Sequence, residues 1–209
     1  MRTLRSITED EMVAVFLRAE LDSPRFGQRL RQLLCWDGIA ENMVRRPDLH
    51  DAAPNRRRRD LLAEFRGYGR NSELFHNFPD EIAWERVVLE RGDLQGIEYI
   101  DYPYWVELAG GSRRARDAAR RITAGVLPRE QVAGYWTLAD LVRQGSTFPE
   151  LILVGKSPRD DLVVLEGHAR VTAYLMAAAY LPSELEAIVG YSAAIERWDL
   201  YGDPGAAEG

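Results

Sequence analysis

The most constraining stretch of the chain is LVVLEGHARVTAYLMAA, residues 162–178. Leu162 to Leu165 is an unbroken apolar run, the mark of a short buried strand, and it ends at Glu166. Gly167 follows, the residue that permits a tight turn and a close backbone approach. A helix begins at once, so its free N–H groups and positive dipole end face the strand's carboxyl edge. That geometry binds anions, phosphate above all. Arg170 in the first turn can add a bidentate contact, and His168 a neutral or charged donor. Glu166 could orient a sugar hydroxyl, hold Mg²⁺ or act as a general base. The plainer alternative is an ordinary strand–helix junction in which Arg170 pairs with Glu166. The residues alone leave both open.

The rest of the sequence bounds the classes to which this junction can belong. The 209 residues suit one domain, or one domain with an elaborate N-terminal extension. With 27 basic against 33 acidic residues the net charge is -6, which argues against a chain that coats nucleic acid. Mean hydropathy is -0.32, and no run approaches the roughly 18 apolar residues of a membrane span. The N-terminus MRTLRSITEDEMVAVFLRAE carries acids where a signal peptide has its apolar core, so a cytoplasmic protein is expected. Cys35 is the single cysteine, which excludes an internal disulfide framework and a multi-cysteine zinc site; beside Trp36 on an amphipathic helix, it reads as a core residue. Lys156 is the only lysine, a bias that GC-rich codon usage explains.

Helix punctuation is clear near the start. Thr8 caps a first helix with Glu11 three residues on, and Ile7 and Met12 sit at the staple positions. Ser23-Pro24 starts a second helix with Pro at its first position, and Phe26, Leu30, Leu33 and Leu34 form its apolar face. Residues 47–54 read as a loop. The arginine run Arg56–Arg59 then leads into a helix bearing Leu61, Leu62 and Phe65; the run is either a solvated helix start or a local phosphate or nucleic-acid patch. Strands are expected at 84–89 and 97–102. Ser112 is expected to cap a helix closed by Gly125, and Thr137 a short helix ended by Gly145. Further strands fall at 151–154, 162–165 and 185–189, and a frayed tail from Gly202.

Two tempting motifs fail. Gly155-Lys156-Ser157 resembles the end of a Walker A loop, but its first glycine would fall on Glu150 and Pro158 obstructs the following helix. Ser192 in Gly190-Tyr191-Ser192 sits like a nucleophile elbow, yet His50, His76 and His168 all precede it, against the usual chain order. The same histidines share no metal-ligand spacing. A second group deserves its own reading: Asp101, Tyr102, Tyr104, Trp105 and Glu107 concentrate aromatics and acids next to Gly110-Gly111-Ser112-Arg113. An aromatic there could stack a base and Arg113 hold a phosphate; the alternative is an aromatic core corner. Arg66, Tyr68 and Arg70 flank two glycines and could line the same cleft.

The run FPELILVGKSPRDDLVVLEGHARVTAYLMAA, residues 148–178, resembles the core of the ParB/sulfiredoxin superfamily: a Pro-led strand, a turn, a second strand and a Gly-x-x-Arg box opening a helix. Residues 97–125 fit the likeness weakly. The resemblance implies an α+β fold, a small mixed sheet with helices, built from a helical N-terminal extension (1–82), a nucleotide-binding core (83–201) and a flexible tail (202–209). It places Gly167, His168 and Arg170 in the phosphate box, with Thr172 and Arg113 as further nucleotide contacts. Glu166 and His168 are then the catalytic candidates, and Tyr102, Tyr104, Trp105 and Glu107 the substrate side. ATP, ADP or CTP is the implied ligand, with Mg²⁺ as a companion and a small molecule as acceptor. Sulfiredoxin chemistry needs a cysteine inside the box, where this chain has Ala169. The DNA-binding and dimerisation domains of partitioning proteins have no room after the box. A stand-alone nucleotide-binding unit is expected, acting as a phosphotransferase or nucleotide hydrolase. The alternative is a non-catalytic DNA-associated or protein-interaction regulator.

Overall fold

The computed structural model describes residues 1–202. The tail expected from Gly202 lies outside the described residues apart from Gly202 itself. Five strands form one mixed sheet: β1 (Arg2–Ser6), β2 (Ala83–Leu89), β3 (Leu151–Gly155), β4 (Val163–Glu166) and β5 (Leu185–Tyr191). Their spatial order is β1-β2-β5-β3-β4. Only the β3–β5 pair is parallel; β1–β2, β2–β5 and β3–β4 are antiparallel. Eight α-helices are described: α1 (Glu9–Leu21), α2 (Gly27–Trp36), α3 (Asn42–Arg45), α4 (Ala52–Arg66), α5 (Pro103–Leu108), α6 (Ala115–Thr123), α7 (Arg129–Arg143) and α8 (His168–Met176). The protein is therefore of mixed α and β structure.

The unbroken apolar runs explain the layering. Successive strand side chains point to opposite faces, so a run with no polar alternation needs cover on both sides. Leu151, Leu153 and Val164 pack against Ala118 and Ile122 of α6, Val132 and Val142 of α7, and Val171 and Tyr174 of α8. Ile152, Val154, Val163, Leu165 and Ile188 pack on the other face with Met12, Phe16 and Leu17 of α1, Leu30 and Leu34 of α2, and Leu61, Leu62 and Phe65 of α4. The N-terminal helices thus form one of two layers around the sheet, and β1 adds its edge.

Local signals act where expected in several places. Thr8 caps α1, accepting the Glu11 N–H, and Met12 is fully buried. Other elements depart from the sequence reading. Ile97–Tyr102 is a single extended connection along β4, bridging only at Glu98, because Pro103 opens α5 and ends the run. α2 starts at Gly27, with Pro24 in the turn before it and Ser23 Oγ accepting the Phe26 N–H. Residues 47–54 are only partly loop: Asp51 caps α4 and Pro54 lies in its first turn, where a missing N–H costs nothing. Thr137 lies inside α7, since the apolar spacing of Val132, Tyr135, Ala139 and Val142 runs straight through it. Arg114 rather than Ser112 is the N-cap of α6; Ser112 Oγ braces the turn, accepting from Arg114 N–H and donating to Asp117.

Candidate functional site

The β4–α8 junction is built around Gly167. Its φ is +106°, and a Cβ there would lie 2.5 Å from Leu151 Cδ2, so both backbone and space demand glycine. No side chain caps α8. The first backbone bond of the helix runs from Val171 N–H to Gly167 O at 2.9 Å, leaving the N–H groups of His168, Ala169 and Arg170 without partners among the described residues. Arg170 is engaged locally. Its guanidinium donates to Glu166 Oε1 at 2.6 Å, to Glu150 O at 3.1 Å and to Pro149 O, tying the loop before β3 to the junction. The Arg170–Glu166 pair of the plainer reading is therefore present.

Further charges gather beside that pair from distant segments. Glu20, in the last turn of α1, is 2% exposed and accepts from Arg66 Nη1 at 2.7 Å. Burial first, and then the nearby Glu166 charge, hold the Glu20 carboxyl well above its ordinary range, against the pull of Arg66, Arg170 and Arg25. The guanidiniums of Arg25 and Arg66 both lie on the Phe26 ring, 4.8 and 4.4 Å from its centroid. Burial, followed by the charges of Arg66, Arg170 and Arg25, pushes the His168 imidazole down to about 3. His168 is accordingly neutral at pH 7.

The His168 ring belongs to an aromatic stack. It lies 4.8 Å from Trp105 at 18°, Tyr99 lies 4.9 Å from Trp105 at 30°, and Tyr99 and His168 are 6.1 Å apart at 17°. With all three planes nearly parallel, 6.1 Å is too short for rings on opposite faces of the indole, so Tyr99 and His168 sit side by side beneath Trp105. His168 Nε2 is shielded and has no hydrogen-bond partner. Thr172 is fully buried and donates to His168 O at 2.9 Å, so the Tyr99 hydroxyl must donate to Thr172. The Thr172 hydroxyl is an internal brace and is closed to solvent.

The remaining expected residues divide. Arg113 clamps the Tyr99 and Tyr201 carbonyls and lies 3.6 Å from Glu98, so its contacts position Tyr99. Tyr102, Tyr104 and Glu107 are exposed on the α5 side of the stack, and Tyr104 shares a 3.0 Å hydrogen bond with Tyr135. Arg66 joins the junction. Tyr68 instead donates to Glu9 and packs on Phe75, while Arg70 is exposed and its side chain makes no hydrogen bond among the described residues. Sequence reasoning missed Glu20, Arg25 and Tyr99. Glu20 did carry a signal: it follows Val13, Phe16 and Leu17 at the spacing of the buried face of α1.

Outside the junction, three of the four arginines of the run are engaged within the fold, and Arg56 is exposed. Arg57 pairs with Asp37 and Arg59 with Asp10, while Arg58, 1% exposed, donates to the Met43 and Asp48 carbonyls and to Asn55. Cys35 is exposed rather than in the core, because the inward face of α2 is Gly27, Leu30, Leu33 and Leu34. Among the described residues no helix is long and apolar enough to cross a membrane, and no three His, Cys, Asp or Glu side chains gather as a metal site. Comparison with known proteins finds no matching family model, no similar curated protein and no similar solved structure.

Proposed function

We propose that the chain is a nucleotide-binding protein of ParB/sulfiredoxin-like fold, with its nucleotide phosphates at the start of α8 and phosphoryl transfer to a small molecule, or nucleotide hydrolysis, as its activity. The observation that carries the reading is the uncapped α8 N-terminus set among Arg25, Arg66 and Arg170. Unpartnered N–H groups, a positive dipole end and three guanidiniums fit a phosphate. Ionisable groups gathered away from water are expensive; α1, α4, β4 and α8 each deliver one here, and the α1–α2 turn adds the exposed Arg25; such concentrations mark functional sites.

Phosphate competes with Glu166 for Arg170. Binding frees the Glu166 carboxylate to accept a proton from an acceptor hydroxyl or water. His168 is neutral and adds no fixed positive charge beside the phosphate; its Nε2 is shielded under Trp105. The exposed rings of Tyr102 and Tyr104, beside Trp105, suit a base or a planar acceptor. Magnesium fits less well: Glu20 and Glu166 are each claimed by a guanidinium, so no step is routed through a metal. The regulator that binds DNA loses its chief motive, since the arginines at 57–59 are committed internally.

Calorimetric titration with ATP, ADP and CTP tests the proposal. Arg25 is exposed and makes no ion pair among the described residues, so Arg25→Ala is expected to keep the fold and to weaken binding at least ~10-fold. Arg170→Ala is expected to weaken it further. No binding to the wild type, or equal binding by both variants, would refute it.

A further inference from the structure

A cavity of about 300 Å³ opens between α6 and the end of α8, away from the junction. One face of α6 lines it with Arg116, Ala119, Arg120 and Thr123, at the 3- and 4-residue spacing of a helix stripe. Leu175 and Met176 complete an apolar floor, and Gln95 stands at the side. Neither guanidinium makes a hydrogen bond among the described residues. Both share a single carboxylate, Asp117, whose Oδ1 is 3.8 Å from each, within ion-pair range and beyond hydrogen-bond reach. The other Asp117 oxygen accepts from Ser112 at 2.7 Å. Arg116 Nε is shielded from water and unpartnered, a group that ordinarily calls for a missing partner. Thr123 turns its hydroxyl back to the Ala119 and Arg120 carbonyls.

We propose that this cavity is a binding site for a small organic carboxylate with a short aliphatic body, its head between Arg116 and Arg120 and its chain on Ala119, Leu175 and Met176. Two guanidiniums sharing one distant carboxylate leave a local positive excess that a carboxylate neutralises with charge-assisted hydrogen bonds. The volume lies at the small end of the ligand-pocket range, too little for a nucleotide and enough for a short chain. The apolar floor selects against inorganic phosphate, which would leave it wet.

Calorimetry with sodium hexanoate on the full chain tests the site, with inorganic phosphate as the second probe. The wild type is expected to bind hexanoate saturably at one site. Arg120→Gln and Arg116→Gln are each expected to weaken that binding at least ~10-fold. Arg120 is largely exposed, so its variant keeps the fold even if Arg116→Gln does not. No saturable binding to the wild type, unchanged binding by Arg120→Gln, or phosphate binding as tightly as hexanoate would overturn the proposal. So would loss of hexanoate binding in Arg25→Ala with retention in Arg120→Gln, which would move the carboxylate to the α8 junction.

Discussion

Protonating His168 is expected to destabilise the fold, and the size of the effect follows from its surroundings. The ring stacks under Trp105 with Nε2 unpartnered, close to three arginines, and its pKa falls from 6.5 to about 3. Between those values the unfolded chain binds a proton that the folded chain refuses. Stability is therefore complete above pH 6.5 and is lost as pH falls toward 3. At about 1.36 kcal/mol per pH unit the depression corresponds to at most about 5 kcal/mol. The side chain is only partly shielded from water, so the realised loss is smaller, about 2–3 kcal/mol. His168→Phe keeps an aromatic ring under Trp105 and removes the titration. Urea unfolding of both proteins at pH 7, 6, 5 and 4 measures the difference. The wild type should lose about 2 kcal/mol more than the variant between pH 7 and pH 4. Parallel pH profiles would show that His168 titrates freely, and the closed stack would be wrong.

Glu20 gives a slope of the opposite sign. Its carboxyl is raised above the ordinary 4.5, so its contribution is present at low pH and fades as pH rises through the neutral range. Thermal melts from pH 5 to pH 9 should show the wild type losing stability that Glu20→Gln retains, by up to about 3 kcal/mol; a variant that melts in parallel with the wild type would contradict the buried carboxyl. Arg58→Met should cost about 3 kcal/mol in urea unfolding, since it orphans the Met43 and Asp48 carbonyls and Asn55. Arg56→Ala, two residues away and exposed, should change stability by less than about 0.5 kcal/mol.

What could be read in the chain depended on whether the signal was local. The runs Leu151–Val154 and Leu162–Leu165 declared strands because both of their faces are buried. Gly167 declared its turn because no other residue fits there. β1 had no such mark: all five of its residues are exposed, and backbone pairing with β2 alone makes it a strand. The extended segment at 97–102 alternates like a strand, but Tyr99 is held by Arg113 and Thr172, contacts made across long stretches of chain. The candidate site divided in the same way. Glu166, Gly167, His168 and Arg170 are neighbours in sequence and were found together. Glu20 and Arg25 reach the junction only because α1 lies across the sheet, and helix periodicity could flag Glu20 as a buried charge but not name its partners.

The same distinction bears on the arginines. A bias of composition suffices for exposed residues with no ion pair among the described residues, such as Arg46, Arg56, Arg70 and Arg129. It does not account for four others. Arg58 bridges two carbonyls and an amide, and Arg86 joins Glu11, Glu150 and Glu186. Arg113 spans the Tyr99 and Tyr201 carbonyls, and Arg170 joins Glu166 to Pro149 and Glu150. Each spreads a planar fork over acceptors from separate segments, which a lysine ammonium on a flexible stem matches poorly. Arg86 and Arg170 meet at one residue: the Glu150 carboxylate takes Arg86 and Arg18, and its carbonyl takes Arg170. Through Glu150 the N-terminal helix α1, strand β2 and the start of α8 share one chain of charged contacts. A ligand that draws Arg170 away from Glu166 therefore acts on a group already tied to the packing of α1, which gives the N-terminal helices a stake in the site as well as in the core.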